Sequence, residues 1–137
     1  MATYVKFHTF SEKLAEKVFN LGSDSLKLAL TNTAPTASTN TVLTDITEIT
    51  YTNCSSRVLT TSSSAQSSGT YKLVIADLTL TASGGSVGPF RYVVVYDDTA
   101  ASDDLICYHD YGSSITLADT ETLTWDADAT NGLLQIA

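Results

Sequence analysis

Residues 87–112 read VGPFRYVVVYDDTAASDDLICYHDYG, and their pattern decides the fold. Two apolar runs, Phe90–Tyr96 and Leu105–Tyr108, flank a short acidic connection, Asp97–Asp104. Alternation puts Phe90, Tyr92, Val94 and Tyr96 on one face of the first run and Val93 and Val95 on the other. A strand apolar on both faces must be covered on both. The expectation is a central strand, with a second sheet on one side and the helix or a neighbouring subunit on the other. Leu105–Asp110 is the next strand, and Tyr111-Gly112 is expected to turn it.

Working outward, the chain punctuates regularly. Ser83–Pro89, SGGSVGP, is the strongest turn signal. Its glycines lack the Lys-Ser/Thr and following helix of a phosphate loop. Tyr71–Ile75 and Leu78–Leu80 read as one bulged strand or two strands around a corner. Thr61–Gly69, TSSSAQSSG, reads as a turn or mobile loop, with an edge strand as the alternative. Arg57–Thr60 could be a strand. Glu121–Asp126 alternates Leu123 and Trp125 inward, Asn131-Gly132 signals a turn, and Leu133–Ile136 closes the chain. Leu26, Leu28 and Leu30 alternate with Lys27 and Ala29, and Thr31–Thr41 is a loop containing Pro35.

Ahead of the strands lies a helical pattern. Phe10, Leu14 and Val18 recur at helical spacing, opposite Glu12, Lys13, Glu16 and Lys17. Thr9 and Glu12 form a capping-box signature, and Gly22 suits the left-handed position after a helix. Residues 1–8 alternate loosely, as a short strand or a docking arm. The 137 residues therefore read as a single domain, with a possible arm at 1–8, a helix at 9–20 and β-structure over 25–137. About eight strands at regular spacing imply an all-β fold: an antiparallel β-sandwich, jelly-roll or immunoglobulin-like, with one N-terminal amphipathic helix.

Composition excludes several functions. The net charge is −8, and no Lys or Arg follows Arg91. That surface repels phosphate backbones, so nucleic-acid binding is not expected. No apolar run is long enough for a signal peptide or a membrane span. Serine and threonine number 38 and supply the polar surface, which favours strands and turns. Cys54 and Cys107 have no metal or redox spacing and are expected to be reduced thiols.

Catalytic readings fail on geometry. Cys107, His109 and Asp110 suggest a triad, yet strand alternation turns Asp110 away from the other two. The Asp pairs at 97–98, 103–104 and 126/128 lack calcium-loop spacing and read as solvated acidic loops. The tyrosines and Trp125 fit strand positions, where aromatic residues pack well. No catalytic residue, cofactor or metal is expected.

Two segments carry a family resemblance. HTFSEKLAEKVFNLGSDSLKLALTNTAPTASTNTVLTDITEI (residues 8–49) and GPFRYVVVYDDTAASDDLICYHDYGSSITL (residues 88–117) resemble small structural proteins of tailed bacteriophages. The first pairs a helix with "NLGSDSLKLALTNTAP"; the second has an acidic loop between two strands. The resemblance implies a non-enzymatic virion protein assembled in the bacterial cytoplasm. Its best-suited role is capsid decoration, or cementing, in contact with the major capsid protein and with copies of itself as a homo-oligomer. A tail, baseplate or fibre component and a carbohydrate-binding β-sandwich module are the alternatives. No functional motif of the family maps onto this chain. The expected contact surface is basic and apolar, Tyr4, Lys6, Phe7, Lys13 and Lys17, together with Asp97, Asp98, Asp103 and Asp104.

Overall fold

The computed structural model describes residues 2–137. Its elements in chain order are β1 (Thr3–Lys6), α1 (Thr9–Ala15), β2 (Leu26–Thr31), a 3-10 turn (Leu43–Asp45), β3 (Thr61–Ser67), β4 (Thr70–Ile75), β5 (Leu78–Thr81), β6 (Val87–Asp97), β7 (Leu105–Leu117), β8 (Thr122–Trp125) and β9 (Leu134–Ile136). All strand pairs are antiparallel. The sheets run β1-β7-β6-β2, β3-β4-β9 and β5-β8. The fold is all-β with one short N-terminal helix.

The two-sided run of residues 87–112 does form the middle of the largest sheet. Phe90, Val93, Val94 and Val95 are all completely buried. Val93 and Val95 face a main core built with Leu28 and Leu30 from β2, Leu73 and Ile75 from β4, and Leu80 and Trp125 from β5 and β8. Each such side chain contributes about 1.5–3 kcal/mol on burial. Val94 and Tyr96 face a second, smaller cluster with Phe7, Ala29, Ile46 and Leu105.

Two expectations about this strand are corrected. Phe90 belongs to the main core with Val93 and Val95, not to the face of Val94 and Tyr96. Register shifts on both sides of Phe90 insert extra residues and rotate it to the other face. The second face is covered by Phe7 and the 43–46 segment; the helix instead contributes Phe10 to the main core. The next strand also outruns its expected end. Gly112, at φ +83°, sits inside β7 as a bend, and pairing resumes at Ile115 and Leu117.

The helix is shorter than the expected 9–20. Its start has no side-chain cap: His8 occupies the N-cap in helical geometry, and the buried Thr9 hydroxyl has no partner. Its end is a Schellman motif, with Val18 N–H donating to Lys13 O at 2.9 Å and Lys17 N–H to Leu14 O at 3.3 Å. Lys17 holds the left-handed position, φ +69°, that the sequence pattern assigns to Gly22. The early stop lets the chain double back, so Phe19 meets Phe10 at 5.1 Å between ring centroids. Val18 is left outside, 39% exposed.

The remaining segments fall into place by pairing. The Ser-rich run is the edge strand β3, joined to β4 through Ser68-Gly69. Both residues have positive φ (+50° and +84°), the geometry of a tight two-residue hairpin. Tyr71–Ile75 and Leu78–Leu80 are separate strands in different sheets. Val58 bridges Lys27, and the flanking backbone closes the outer edge of β2 through Leu28 N–H to Arg57 O and Leu59 N–H to Leu26 O, both 2.9 Å. Residues 3–6 form the opposite edge of that sheet, paired with β7, rather than a free arm.

Candidate functional site

The expected contact residues divide sharply. Tyr4 and Lys6 lie on the edge strand β1, and Tyr4 is 40% exposed. Phe7 is completely buried, with its ring 5.4 Å from Tyr108, so it supplies core and no contact surface. Lys17 is exposed at the end of α1. Lys13 forms an ion pair with Asp104, whose side chain is only 7% exposed. The basic helix face and the acidic loop therefore meet within one chain.

The loop itself is half interior. Asp98 is exposed and Asp103 half-buried, while Asp97 and Asp104 turn inward. Asp97 Oδ1 accepts from Thr99 N–H at 2.9 Å and Ala100 N–H at 3.1 Å, which folds the loop over it. Its Oδ2 is sealed from solvent with no donor in reach. Burial, and then the Asp24 carboxyl beside it, push the Asp97 pKa up to about 7. Reading this loop as uniformly solvated is thus wrong for Asp97 and Asp104: an acidic loop with two inward carboxyls needs donors and a cation, and Lys13 supplies the cation.

The Cys107–His109–Asp110 cluster is dispersed as alternation requires. Cys107 is completely buried, its thiol pushed up to about 12 by desolvation, and lies against the Tyr4 hydroxyl. Asp110 is clamped by Arg91 through two bonds of 2.7 and 3.0 Å, which holds its carboxyl below the ordinary range. His109 Nδ1 accepts the Trp125 indole N–H at 3.2 Å. Burial lowers the pKa of that imidazole, and the neutral ring carries its proton on Nε2. Among the described residues, no group of three or more His, Cys, Asp or Glu converges as a metal site would require.

The strand pairing creates a site that the linear pattern did not reveal. The main sheet brings Tyr4 on β1 opposite His109 on β7, and β8 delivers Trp125 beside them. The three rings form a row, Tyr4 to His109 at 5.4 Å and His109 to Trp125 at 5.6 Å, both edge-to-face. This row borders a cleft of about 640 Å³, which Ala2, Tyr111, Thr124, Asp126 and Asp128 complete. Asp126 raises the pKa of Tyr111 across it, an effect second to that of burial. Sequence reading treats the aromatic residues and the 126/128 pair separately. Only the adjacency of β1, β7 and β8 joins them, and no local signal encodes that adjacency.

In comparison with known proteins, no family model, curated protein or solved structure matches the chain.

Proposed function

We propose that this chain is a non-catalytic structural protein of a tailed-bacteriophage virion, acting as a capsid decoration protein that binds the outer shell and stabilises contacts between capsomers. The observation that carries the non-catalytic half is the use of reactive groups as framework. Cys107 lies deep in the core, the His109 ring is held by Trp125, and Asp110 is committed to Arg91. A nucleophile or a general base needs an accessible atom and a pKa near the working pH, and a buried thiol raised to about 12 has neither. The virion half rests on the resemblance of residues 8–49 and 88–117 to small phage structural proteins.

We further read the three sheets as two layers of a β-sandwich. The main core supports this, because it joins Leu28, Leu30, Val93 and Val95 of the large sheet to residues of both smaller sheets. Repetition over many copies makes weak individual contacts sufficient for such a protein.

The test is location in the particle. Virions carrying an epitope-tagged copy of this chain are labelled with gold and imaged. Label over the shell is the expected result. Label confined to the tail transfers the assignment to a tail, baseplate or fibre component, and unlabelled particles overturn the virion reading.

A further inference from the structure

The cleft beside Tyr4 and Trp125 carries negative charge that no ion pair of the described residues neutralises. The ion pairs among the described residues are Lys13–Asp104, Arg57–Glu48 and Arg91–Asp110, and none involves Asp126 or Asp128. No Lys or Arg lines the cleft. Asp128 is occupied by its own turn, accepting from Thr130 N–H, Asn131 N–H and the Asn131 side-chain amide. Asp126 differs: Oδ1 accepts Asp128 N–H at 2.8 Å, and no donor among the described residues bonds Oδ2. One carboxylate oxygen therefore has no partner among the described residues, at the mouth of a cleft bordered by aromatic rings.

We infer that this cleft is a docking site for the lysine or arginine side chain of a partner polypeptide. Both constituents of the cleft favour a cation: the carboxylates by charge, and the partly exposed Tyr4 and Tyr111 rings by their quadrupole within about 6 Å of a centroid, with the buried Trp125 as the wall behind them. The neutral imidazole between the rings adds no repulsion. An anionic ligand meets two carboxylates and no Lys or Arg. A neutral glycan fits less well, because selecting hydroxyls takes several free polar groups. The Thr124 hydroxyl is already bonded to Thr79 at 3.0 Å, the Tyr4 hydroxyl lies against Cys107 and Asp128 is spent, leaving Asp126, His109 Nε2–H and the Tyr111 hydroxyl. The open cleft lies at the free edge of β1, where an incoming chain has room to approach. This assignment stands on the cleft itself and holds whether or not the chain belongs to a virion.

Trp125 is the sole tryptophan, so its indole N–H gives one isolated resonance inside the site. The full-length ¹⁵N-labelled protein is titrated with acetyl-Gly-Lys-Gly-amide and acetyl-Gly-Arg-Gly-amide, then with the ε-acetylated lysine peptide and neutral oligosaccharides. At least one cationic peptide is expected to move the indole resonance saturably, with the effect weakened severalfold at about 0.5 M salt. The acetylated peptide is expected to leave it in place. Asp126→Asn keeps the acceptor for Asp128 N–H and is expected to weaken binding by about fivefold. The salt series on the unaltered protein provides the same test if that variant misfolds. Equal response to the acetylated peptide, response to oligosaccharides alone, or no response at all overturns the assignment.

Discussion

The two acidic regions of this molecule, residues 97–104 and residues 126–128, look alike in sequence and behave differently in the fold. Asp97 and Asp104 are drawn inward, one folding its own loop and the other answering Lys13 from α1. Asp126 and Asp128 stay exposed beside a row of rings, with no ion-pair partner among the described residues. Asp97 and Asp104 hold the chain together; Asp128 holds its own turn, and Asp126 keeps one oxygen with no partner among the described residues. Charge density alone does not distinguish structural from recognition aspartates. What distinguishes them is whether the fold turns the carboxylate inward, as it does Asp97 and Asp104, or leaves it exposed.

The largest test of this contrast removes the wall that the rings share with the core. Trp125 is 1% exposed and is among the largest fully buried side chains. Trp125→Ala is expected to cost about 3–5 kcal/mol in urea denaturation, whereas Asp126→Asn stays within about 0.5 kcal/mol. Equal costs would mean that Asp126 is structural after all.

A smaller effect comes from the ion pair. Lys13→Met leaves the buried Asp104 carboxylate without a cation and is expected to cost about 1–3 kcal/mol. Adding Asp104→Asn to that variant should recover much of the loss, and a double-mutant cycle reads the coupling directly. No coupling would place the acidic loop alongside the cleft as uncommitted charge.

A further effect depends on pH. The folded pKa of Asp97, about 7, lies above the unfolded carboxylate value of about 4. A raised pKa gives stability that is complete below about pH 4 and is lost as pH rises through about 7. Asp97→Asn cannot titrate. In thermal melts, the variant should therefore gain on the parent protein as pH rises from about 4 to about 7. A difference that stays flat over that range would show Asp97 to be ionised and solvated, like Asp126.

Several parts of this fold are legible in residue pattern. Val93, Val94 and Val95 demand cover on both faces wherever they lie, and both faces are covered. Leu26, Leu28 and Leu30 alternate because half a strand's faces meet the core. The dispersal of Cys107 and Asp110 follows from the same alternation. Other parts are not legible because their signals are weak or are overruled by contacts made far away. TSSSAQS has no large apolar side chain to announce a strand; it becomes β3 because β4 offers it backbone partners. Thr9 and Glu12 spell a capping box that the entering chain, bent at His8, does not form. Helix periodicity continues to Val18, yet the pull of Phe19 toward Phe10 ends the helix sooner.

By itself the sequence determined that this chain is antiparallel β-structure around a two-sided strand, with a helix near its start. Those properties follow from the spacing of apolar residues, which acts within a few positions. Tertiary structure alone decided which face Phe90 takes, where Lys13 finds its partner, and that Tyr4, His109, Trp125 and Asp126 meet at one cleft. Each depends on register and on the order of strands in a sheet. Register is set by packing between segments far apart in the chain, where a single inserted residue reverses every face that follows.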